Sequence, residues 1–434
     1  MALGGMQRRL SAQPRTLAAA VRPEQPEVHL AGSVHTVRTL GGVAFLILRD
    51  RSGMIQVVAP GDLDVPREAV VEITGTARSE GRAPGGVEVA ATEITVISRP
   101  AGRLPFDVSK PVLHAELDTA LDHRALSLRH PRTGAIFRVA SALTGGFRRA
   151  LADEGFMEIH TSKLVGSATE GGAGLFRVDY PDRAAYLAQS PQLYKQICVG
   201  AFERVFEIGP VFRNEPHATT RHLNEYTSLD VEAAYLDLDG LLDLETRVLA
   251  AMLEEVARSA ALALDQLGVR PPAIGRIPRL RLDEAKARLA SRGKTYAPEE
   301  DLNPAGERLL GEMLGEEGQE FVFVSHYPAA ARPFYAAPDP DDRSLTLSFD
   351  LLFRGVEVTT GGMRIHDLAQ LRENMERFGL DPTAFAGYLE AFACAMPPHG
   401  GFAIGLERLT AQLVGAPNLR WAALFPRDRR RLEP

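Results

Sequence analysis

The pattern of apolar and polar positions is most informative between Arg204 and Glu232. Val205–Arg213 is a strongly apolar run with β-branched and aromatic residues, which predicts a strand. Leu223–Glu232 alternates, with Leu223, Thr227, Leu229 and Val231 on one side and Asn224, Tyr226, Ser228 and Asp230 on the other. The connection between these strands holds Arg213, Glu215, His217, Arg221 and His222. A hairpin that only reverses the chain needs about two to five residues. This connection is about twice that length and crowded with hydrogen-bonding side chains, so it is expected to hold a polar ligand. A charged, solvated loop is the alternative.

The same pattern divides the chain. Glu27–Arg99 reads as all-β, with strands over Val28–Val37, Ala44–Leu48, Met54–Ala59, Ala69–Ala77 and Val87–Ser98. Short strands punctuated by Gly41-Gly42, Asp50–Gly53 and the Glu80–Gly86 tip suit a small Greek-key barrel such as the OB-fold. Pro100, Pro105 and Pro111 then break structure, and Leu113–Leu128 is helical, with Asp122, His123 and Arg124 expected at solvent or between domains. Beyond Pro131 the character is α+β. Ile136, Val139, Ala140, Leu143, Phe147, Ala150 and Leu151 recur at helical spacing, and Phe156–Thr161 follows as a strand. The expected division is residues 1–103 as barrel domain, 104–130 as hinge and 131–434 as the main α+β domain.

Composition narrows the class. The chain has 434 residues, enough for a large core, with apolar and charged fractions ordinary for a globular protein. Two cysteines, Cys198 and Cys394, exclude a disulfide framework and a cysteine-based zinc site, and suit a reducing compartment such as the cytoplasm. No apolar run approaches the ~18–20 residues of a membrane span. The first twenty residues suit a transit segment, or a short helix ahead of the first strand. A net charge of −7 argues against non-specific polyanion binding, and Glu27–Arg99 has seven Arg against nine acids, so charge does not strengthen a nucleic-acid reading. Lysine occurs only at 110, 163, 195, 286 and 294, which draws attention to any lysine inside a polar motif.

Four further stretches carry candidate chemistry. Ser167–Leu175 is Gly-rich with Glu170 in its middle; the acid suits capture of a cationic group, or is simply solvated. Gln192, Lys195 and Gln196 share a helical face, functional or merely exposed. Leu345, Leu347, Phe349, Leu351 and Phe353 form a period-2 apolar face with Asp350 on the opposite side. With Arg354-Gly355 as a two-residue turn, Glu357 joins Asp350 on that polar face, and a divalent cation is the natural occupant between them. A surface pair, or an ion pair with Arg354, is the alternative. Last, Gly400–Leu409 passes from a strand into a helix carrying Arg408 in its first turn, an anion site or a tight turn with a solvated arginine. Asp237–Leu267 reads as helix, and Arg279–Glu317 offers no chemical signal.

These segments resemble the class II aminoacyl-tRNA synthetases. Phe212-Arg213-Asn214-Glu215 with its loop is similar to the second motif of that class, and Gly405-Leu406-Glu407-Arg408-Leu409 to the third. The barrel, SPQLYKQ, SFDLLFRGVEVTTGGMRIHD and the ending LFPRDRRRLEP resemble the compact archaeal and eukaryotic aspartyl-tRNA synthetases. The implied fold is an antiparallel-sheet catalytic domain behind an OB-fold anticodon domain. The implied activity is ligation of L-aspartate to tRNA(Asp) through an aspartyl-adenylate, with ATP as substrate and Mg²⁺ as cofactor, in a cytoplasmic homodimer. An asparaginyl-tRNA synthetase or an asparagine-forming paralogue is the alternative.

The resemblance implies roles position by position. Arg213 would bridge the substrate carboxylate and the ATP α-phosphate. Glu215 would accept from adenine, between Tyr226 and Arg408, with Arg221 and His222 near the outer phosphates and Leu223, Asn224 and Gly405 completing the ATP site. Asp350, Glu357 and Thr360 would hold the metal. Glu170 and Gln192 would receive the α-ammonium group, and Lys195 and Arg364 the side-chain carboxylate, with Asp230 positioning Lys195 and Thr360 contributing to the substrate shell. Phe45, Gln56 and Glu88 would read the anticodon. His29 and Pro84 fall where relatives separate tRNA(Asp) from tRNA(Asn), and their combination resembles the relaxed type. Two departures stand out: Ser162 follows Thr161 where a proline is usual at the dimer interface, and Thr360 replaces a serine.

Overall fold

Inward-facing Val28, Leu30, Val34, Leu46, Leu48, Ile55, Val57, Val71, Ile73 and Val89 make the core of the first unit. They alternate along five strands, β1 (Val28–Leu40), β2 (Val43–Arg49), β3 (Met54–Pro60), β4 (Val70–Ser79) and β5 (Val87–Ser98). These close into a barrel of order β1-β2-β3-β5-β4, which leaves no free edge. The protein is seen here as a computed structural model that describes residues 13–166, 174–215 and 219–433. It divides into two units, Met1–His130 and Pro131–Pro434. Residues 1–12 of the N-terminal segment lie outside the described residues; Ala18–Ala20 forms a single tight turn.

The linker differs from its expected single helix. It forms α1 (Leu117–Asp122) and α2 (Arg124–Ser127), broken at His123, whose backbone leaves the helical region (φ −109°, ψ 45°). Arg124 is not at the surface: it is 1% exposed, and burial lowers its guanidinium to about 10. Asp107 pairs with Arg67 of the barrel at 2.6 Å, so the linker is tied into the first unit.

The second unit opens with α3 (Pro131–Asp153), then β6 (Met157–Glu158), β7 (Leu164–Val165), β8 (Arg177–Tyr180) and β9 (Arg183–Leu187). Helix α4 (Gln192–Phe202) leads into the hairpin β10 (Arg204–Phe212) and β11 (Glu225–Ala234). Next come α5 (Leu238–Ser259), α6 (Ala261–Leu267), β12 (Arg279–Arg281), α7 (Leu282–Ser291), α8 (Pro304–Glu316) and β13 (Phe321–Ser325). The chain ends through β14 (Ser348–Phe353), β15 (Val356–Met363), α9 (Leu368–Arg377), α10 (Ala386–Ala393), β16 (His399–Gly405) and α11 (Leu406–Val414). Eight strands form one sheet in the order β12-β13-β14-β15-β16-β11-β10-β6, and β7-β9-β8 a small second one. Leu229, Val231, Phe349, Leu351, Phe402 and Ile404 turn toward α3 and α5 and make the main core with Leu143, Phe147, Val248 and Met252. The opposite face carries polar side chains along its middle strands, while Val322, Val324 and Leu352 at the β13–β14 end pack under α7 and α8 with Leu282, Leu289, Leu310 and Leu314. Among the described residues no helix is long and apolar enough to cross a membrane.

Two expected strands are shorter than their pattern. Only Met157–Glu158 of Phe156–Thr161 pairs, because the Thr161 amide and hydroxyl donate to the Glu207 carboxylate (2.9 and 2.7 Å) instead of a neighbouring strand. The alternation from Arg343 becomes strand only at Ser348. Leu345 and Thr346 meet Pro328 and Pro338 in isolated bridges, and proline has no N–H to extend a ladder. Helix α8 packs backbone to backbone on the β14–β15 turn: a Cβ at Gly311 would collide with the Gly355 nitrogen.

One charged group is buried beneath the sheet. Glu245 of α5 is 0% exposed, and burial pushes its carboxyl from 4.5 up to about 8, against a smaller opposing effect of the Thr359 hydroxyl. The unfolded chain releases this proton near 4.5 and the folded one near 8. This group's contribution to stability is therefore fully present below pH 4.5 and lost as pH rises to 8. Glu245→Gln should remove that slope and gain, at pH 8, on the order of a few kcal/mol relative to the parent, with the difference shrinking toward pH 5. Urea unfolding at both pH values measures it; the same difference at each would contradict the assignment.

Candidate active site

The polar face of the sheet is organised by register. Asp350 lies opposite Thr360, Thr360 opposite Ala403, Ala403 opposite Asp230, and Asp230 opposite Glu207. Directly opposed residues share a face, so this row crosses β14, β15, β16, β11 and β10 on the side away from the main core. The small Ala403 at its centre leaves room between the polar ends. A bulge adds Glu357. The β14–β15 register shifts between Leu351 and Leu352, so Leu352 pairs with Glu357 while Asp350 pairs with Thr360. Simple alternation would put Glu357 and Thr360 on opposite faces; the extra residue brings both to the site. Thr360 Oγ1 donates to Glu357 Oε1 at 3.0 Å.

A cavity of about 350 Å³ opens over this face, lined by Arg213, Glu215, Arg221, His222 and Tyr226 of the hairpin and its loop. Glu357, Thr360, Gly405, Glu407 and Arg408 close the other side, with Gln189, Ser190, Ser228 and Arg332. Arg408, in the first turn of α11, donates to the Glu357 carbonyl (2.9 Å) and carboxylate (3.2 Å). The Arg213 guanidinium lies 5.8 Å from the centre of the Tyr226 ring. Arg221 pairs with Glu307 of α8 at 3.5 Å; burial and Glu357 push the Glu307 carboxyl up to about 7. Burial also lowers His222, whose Nδ1 meets the Thr219 hydroxyl at 2.6 Å. Leu223 is part of a small core with Ile136, Ala411 and Leu419, and the Asn224 backbone bonds to Arg213 and Arg427, so these two set the hairpin in place.

One row further along β11 the cavity gives way to buried charge. Lys195, Asp230, Glu232 and Arg364 are 2%, 1%, 0% and 8% exposed. Lys195 Nζ is 3.1 Å from Asp230 and 3.3 Å from Glu232. Arg364 donates to Glu232 (2.9 Å), Gln192 (3.2 Å) and the Gly401 carbonyl (3.0 Å). Burial alone would raise the Glu232 carboxyl, but Arg364 and Lys195 outweigh it and hold it below its ordinary range. A Cβ on Gly401 would collide with a Glu232 oxygen, so glycine is required opposite that carboxylate. Behind the cluster, Tyr388 donates to Gln196 (3.1 Å) and Gln196 Nε2 lies 2.9 Å from His399 Nε2. His399 Nδ1 faces the Pro397 carbonyl at 2.8 Å, which fits a neutral imidazole whose pKa burial lowers.

The helical face of Gln192, Lys195 and Gln196 is thus buried, not exposed. Glu170 and His217 lie outside the described residues; Gly174, just downstream of the former, is bridged to Asn214. Asp350 departs from its expected partnership. Both its oxygens accept from Arg332 (3.1 and 2.6 Å), so a guanidinium supplies its positive partner, while Glu357 has Arg408 at 3.2 Å. Arg354 pairs with Glu320 instead. Among the described residues no three or more His, Cys, Asp or Glu are grouped as a metal site. The Glu357–Thr360 oxygens do fit a hard cation: 3.0 Å is the separation of adjacent ligands at about 2.1 Å in an octahedral shell. Glu232, Glu307, Arg332, Glu407 and His399 escape the sequence reading. Of these, only Glu232 and Glu407 stand inside stretches already singled out.

On the barrel, Gln56 pairs with Glu88 across β3 and β5, and Gln56 Nε2 donates to Glu88 at 2.7 Å. Arg78 donates to the other Glu88 oxygen at 2.7 Å. Phe45 is half-buried on the same outer surface, with the Arg38 guanidinium 5.1 Å from its ring centre. His29, 3.7 Å from Glu72, pairs with Thr74 on β4, whereas Pro84 opens the turn between β4 and β5. The structure therefore does not bring His29 and Pro84 together.

Comparison with known proteins places this geometry. The model of "tRNA synthetases class II (D, K and N)" matches residues 116–429, and that of an "OB-fold nucleic acid binding domain" residues 28–97. An aspartate--tRNA(Asp/Asn) ligase of Thermus thermophilus is 49% identical over 94% of this chain and 97% of its own. Among solved structures, asparaginyl-tRNA synthetase from Pyrococcus horikoshii complexed with asparaginyl-adenylate aligns with a TM-score of 0.89 at 32% identity, over 97% of this chain and 100% of that one. Aspartyl-tRNA synthetase from Entamoeba histolytica aligns at 0.86 and 30%, over 98% and 95%. With its barrel, its antiparallel sheet and the cavity between hairpin and α11, the chain belongs to the class II tRNA synthetases of the D, K and N group.

Proposed function

We propose that this chain is an aspartate--tRNA ligase that activates L-aspartate with ATP and transfers it to tRNA(Asp) and tRNA(Asn). The observation that carries the choice of amino acid is Lys195, buried with Arg364 against Asp230 and Glu232 of β11. A carboxylate ligand can share the Lys195 ammonium and the Arg364 guanidinium with Asp230 and Glu232, whereas an amide offers these cations no charge and turns N–H donors toward them. The name borne by the Thermus thermophilus relative agrees with this choice.

In this reading residues 1–103 serve the anticodon, 104–130 are the hinge and 131–434 catalyse. ATP lies along Arg213, Glu215, Arg221, His222, Tyr226, Gly405 and Arg408. Asp350, Glu357 and the Thr360 hydroxyl would hold Mg²⁺, which would offset phosphate charge. Gln192 and Glu170 meet the α-ammonium group, and Asp230 and Glu232 orient Lys195 and Arg364. The aspartate carboxylate attacks the α-phosphorus and pyrophosphate leaves; the terminal 3′-hydroxyl of tRNA then attacks the acyl carbon and AMP leaves. Arg213 stabilises the charge that builds on the α-phosphate, and no side-chain nucleophile takes part. Phe45 stacks on an anticodon base, while Gln56 and Glu88 read its neighbour by hydrogen bonds. Exposed Met157, Phe202 and Tyr235 gather at one end of β6, β10 and β11, which suits a homodimer contact. The cytoplasm suits the work.

Arg213→Ala should reduce aspartate-dependent exchange of pyrophosphate into ATP by at least ~10³-fold, the scale of losing a transition-state donor, with unchanged circular dichroism. Near-normal exchange would remove the central assignment. Charging of purified transcripts tests the second substrate: aspartate should be incorporated into tRNA(Asn) as well as tRNA(Asp), and background-level incorporation into tRNA(Asn) would limit the enzyme to one tRNA.

A further inference from the structure

Arg332 holds Asp350, one of the carboxylates expected to hold a cation. It follows the short turn Ala329–Ala331, is 9% exposed and reaches the cavity wall. Its guanidinium carbon stacks 3.6 Å from the centre of the Tyr327 ring, which is itself buried. Its two terminal nitrogens bond to the two oxygens of Asp350 at 3.1 and 2.6 Å, the two-pronged geometry that holds a carboxylate most firmly. Asp301 also raises the pKa of this guanidinium, but more weakly than Asp350, with which the arginine forms its ion pair. Each Asp350 oxygen thus already carries one charge-assisted bond, and a metal ion brought to the same carboxylate would face the guanidinium's positive charge across it.

Neighbouring residues behave differently. Glu357 accepts from Thr360 and from Arg408 on the cavity wall, and carries no such two-pronged lock. Asp350 is 7% exposed, and a carboxylate so placed needs a positive partner at all times, because an unpaired buried charge is strongly destabilising. Two candidates can fill that need, the guanidinium and a divalent cation, and as like charges on one carboxylate they compete for it.

We propose that Arg332 is an internal counter-ion of the metal position: in the ligand-free protein it holds Asp350, and a divalent cation arriving with ATP displaces it from that carboxylate. The inference rests on the reading of this cavity as an ATP site. The displaced guanidinium stays on the cavity wall, where it meets the phosphates that arrive with the metal. Metal and nucleotide binding are coupled as a result. Without nucleotide, the metal must break the Arg332–Asp350 pair with nothing for the arginine to gain; with nucleotide, the arginine exchanges one anion for another.

Manganese is the probe, with free ion read by electron paramagnetic resonance in the absence of ATP. The parent protein should bind it weakly, and Arg332→Met at least ten-fold more tightly, because Asp350 is released. Arg332→Lys, which keeps the charge but not the fork, should fall between them, and adding Asp350→Asn to Arg332→Met should abolish the gain. Since Arg332→Met leaves a buried carboxylate unpaired, thermal unfolding provides a second readout: manganese should raise its Tm more than that of the parent. Equal manganese affinity in parent and Arg332→Met, or a gain that survives Asp350→Asn, would overturn the proposal. A parent protein that binds no manganese even with ATP would overturn the reading of the cavity, and this inference with it.

Discussion

Four charged side chains, Lys195, Asp230, Glu232 and Arg364, share one site that solvent barely reaches. Buried ions are tolerated only where each has a partner of good geometry, since removing one leaves the rest uncompensated. Much of the surrounding architecture follows from that demand. Strand β11 must keep its register so that Asp230 and Glu232 stay on the polar face, and β16 must offer Gly401 opposite Glu232. Helix α4 must present Lys195 and Gln192 together, and Gln196 with His399 and Tyr388 backs the cluster with neutral hydrogen bonds. Two cations balance two anions, so the group is stable without ligand, and its cations are oriented before a ligand arrives.

The outer half of the site obeys a looser rule. Arg213, Arg221, His222 and Arg408 line a cavity open to solvent, and acidic partners stand beside two of them: Glu307 for Arg221, Glu357 for Arg408. These pairs can be exchanged for a polyanion at modest cost, because partly exposed ion pairs contribute little. The sheet therefore carries a fixed recognition end and an exchangeable end, joined by the row from Asp350 to Glu207. The Arg332–Asp350 pair lies on the boundary, buried like the first and facing the cavity like the second.

Much of this is legible in the sequence where period and chemistry coincide. The barrel strands, the β10–β11 hairpin, the Arg354-Gly355 turn and the strand-to-helix passage at Gly405 all follow from alternation and glycine placement. Lys195 stands out because lysine is scarce, and Asp230 because it falls on the polar side of an alternating strand. What stays hidden depends on register and on distant segments. The bulge that brings Thr360 beside Glu357 leaves no mark in a period-2 pattern. Arg332 reaches the cavity, and Glu307 its Arg221, from stretches with no periodicity to flag them, and Arg124 reads as solvent-facing or interdomain because nothing local shows how fully it is covered. Thr161 reads as strand but is held by the side chain of Glu207, 46 residues away.

The central claim is that the buried cations select a carboxylate, and amino-acid-dependent exchange of pyrophosphate into ATP by the unaltered protein tests it most directly. With L-aspartate and L-asparagine supplied separately at equal concentration, the account predicts exchange with aspartate and at least ~10²-fold less with asparagine, the scale expected when a site built for a charged group meets a neutral one of the same shape. Faster exchange with asparagine would contradict it.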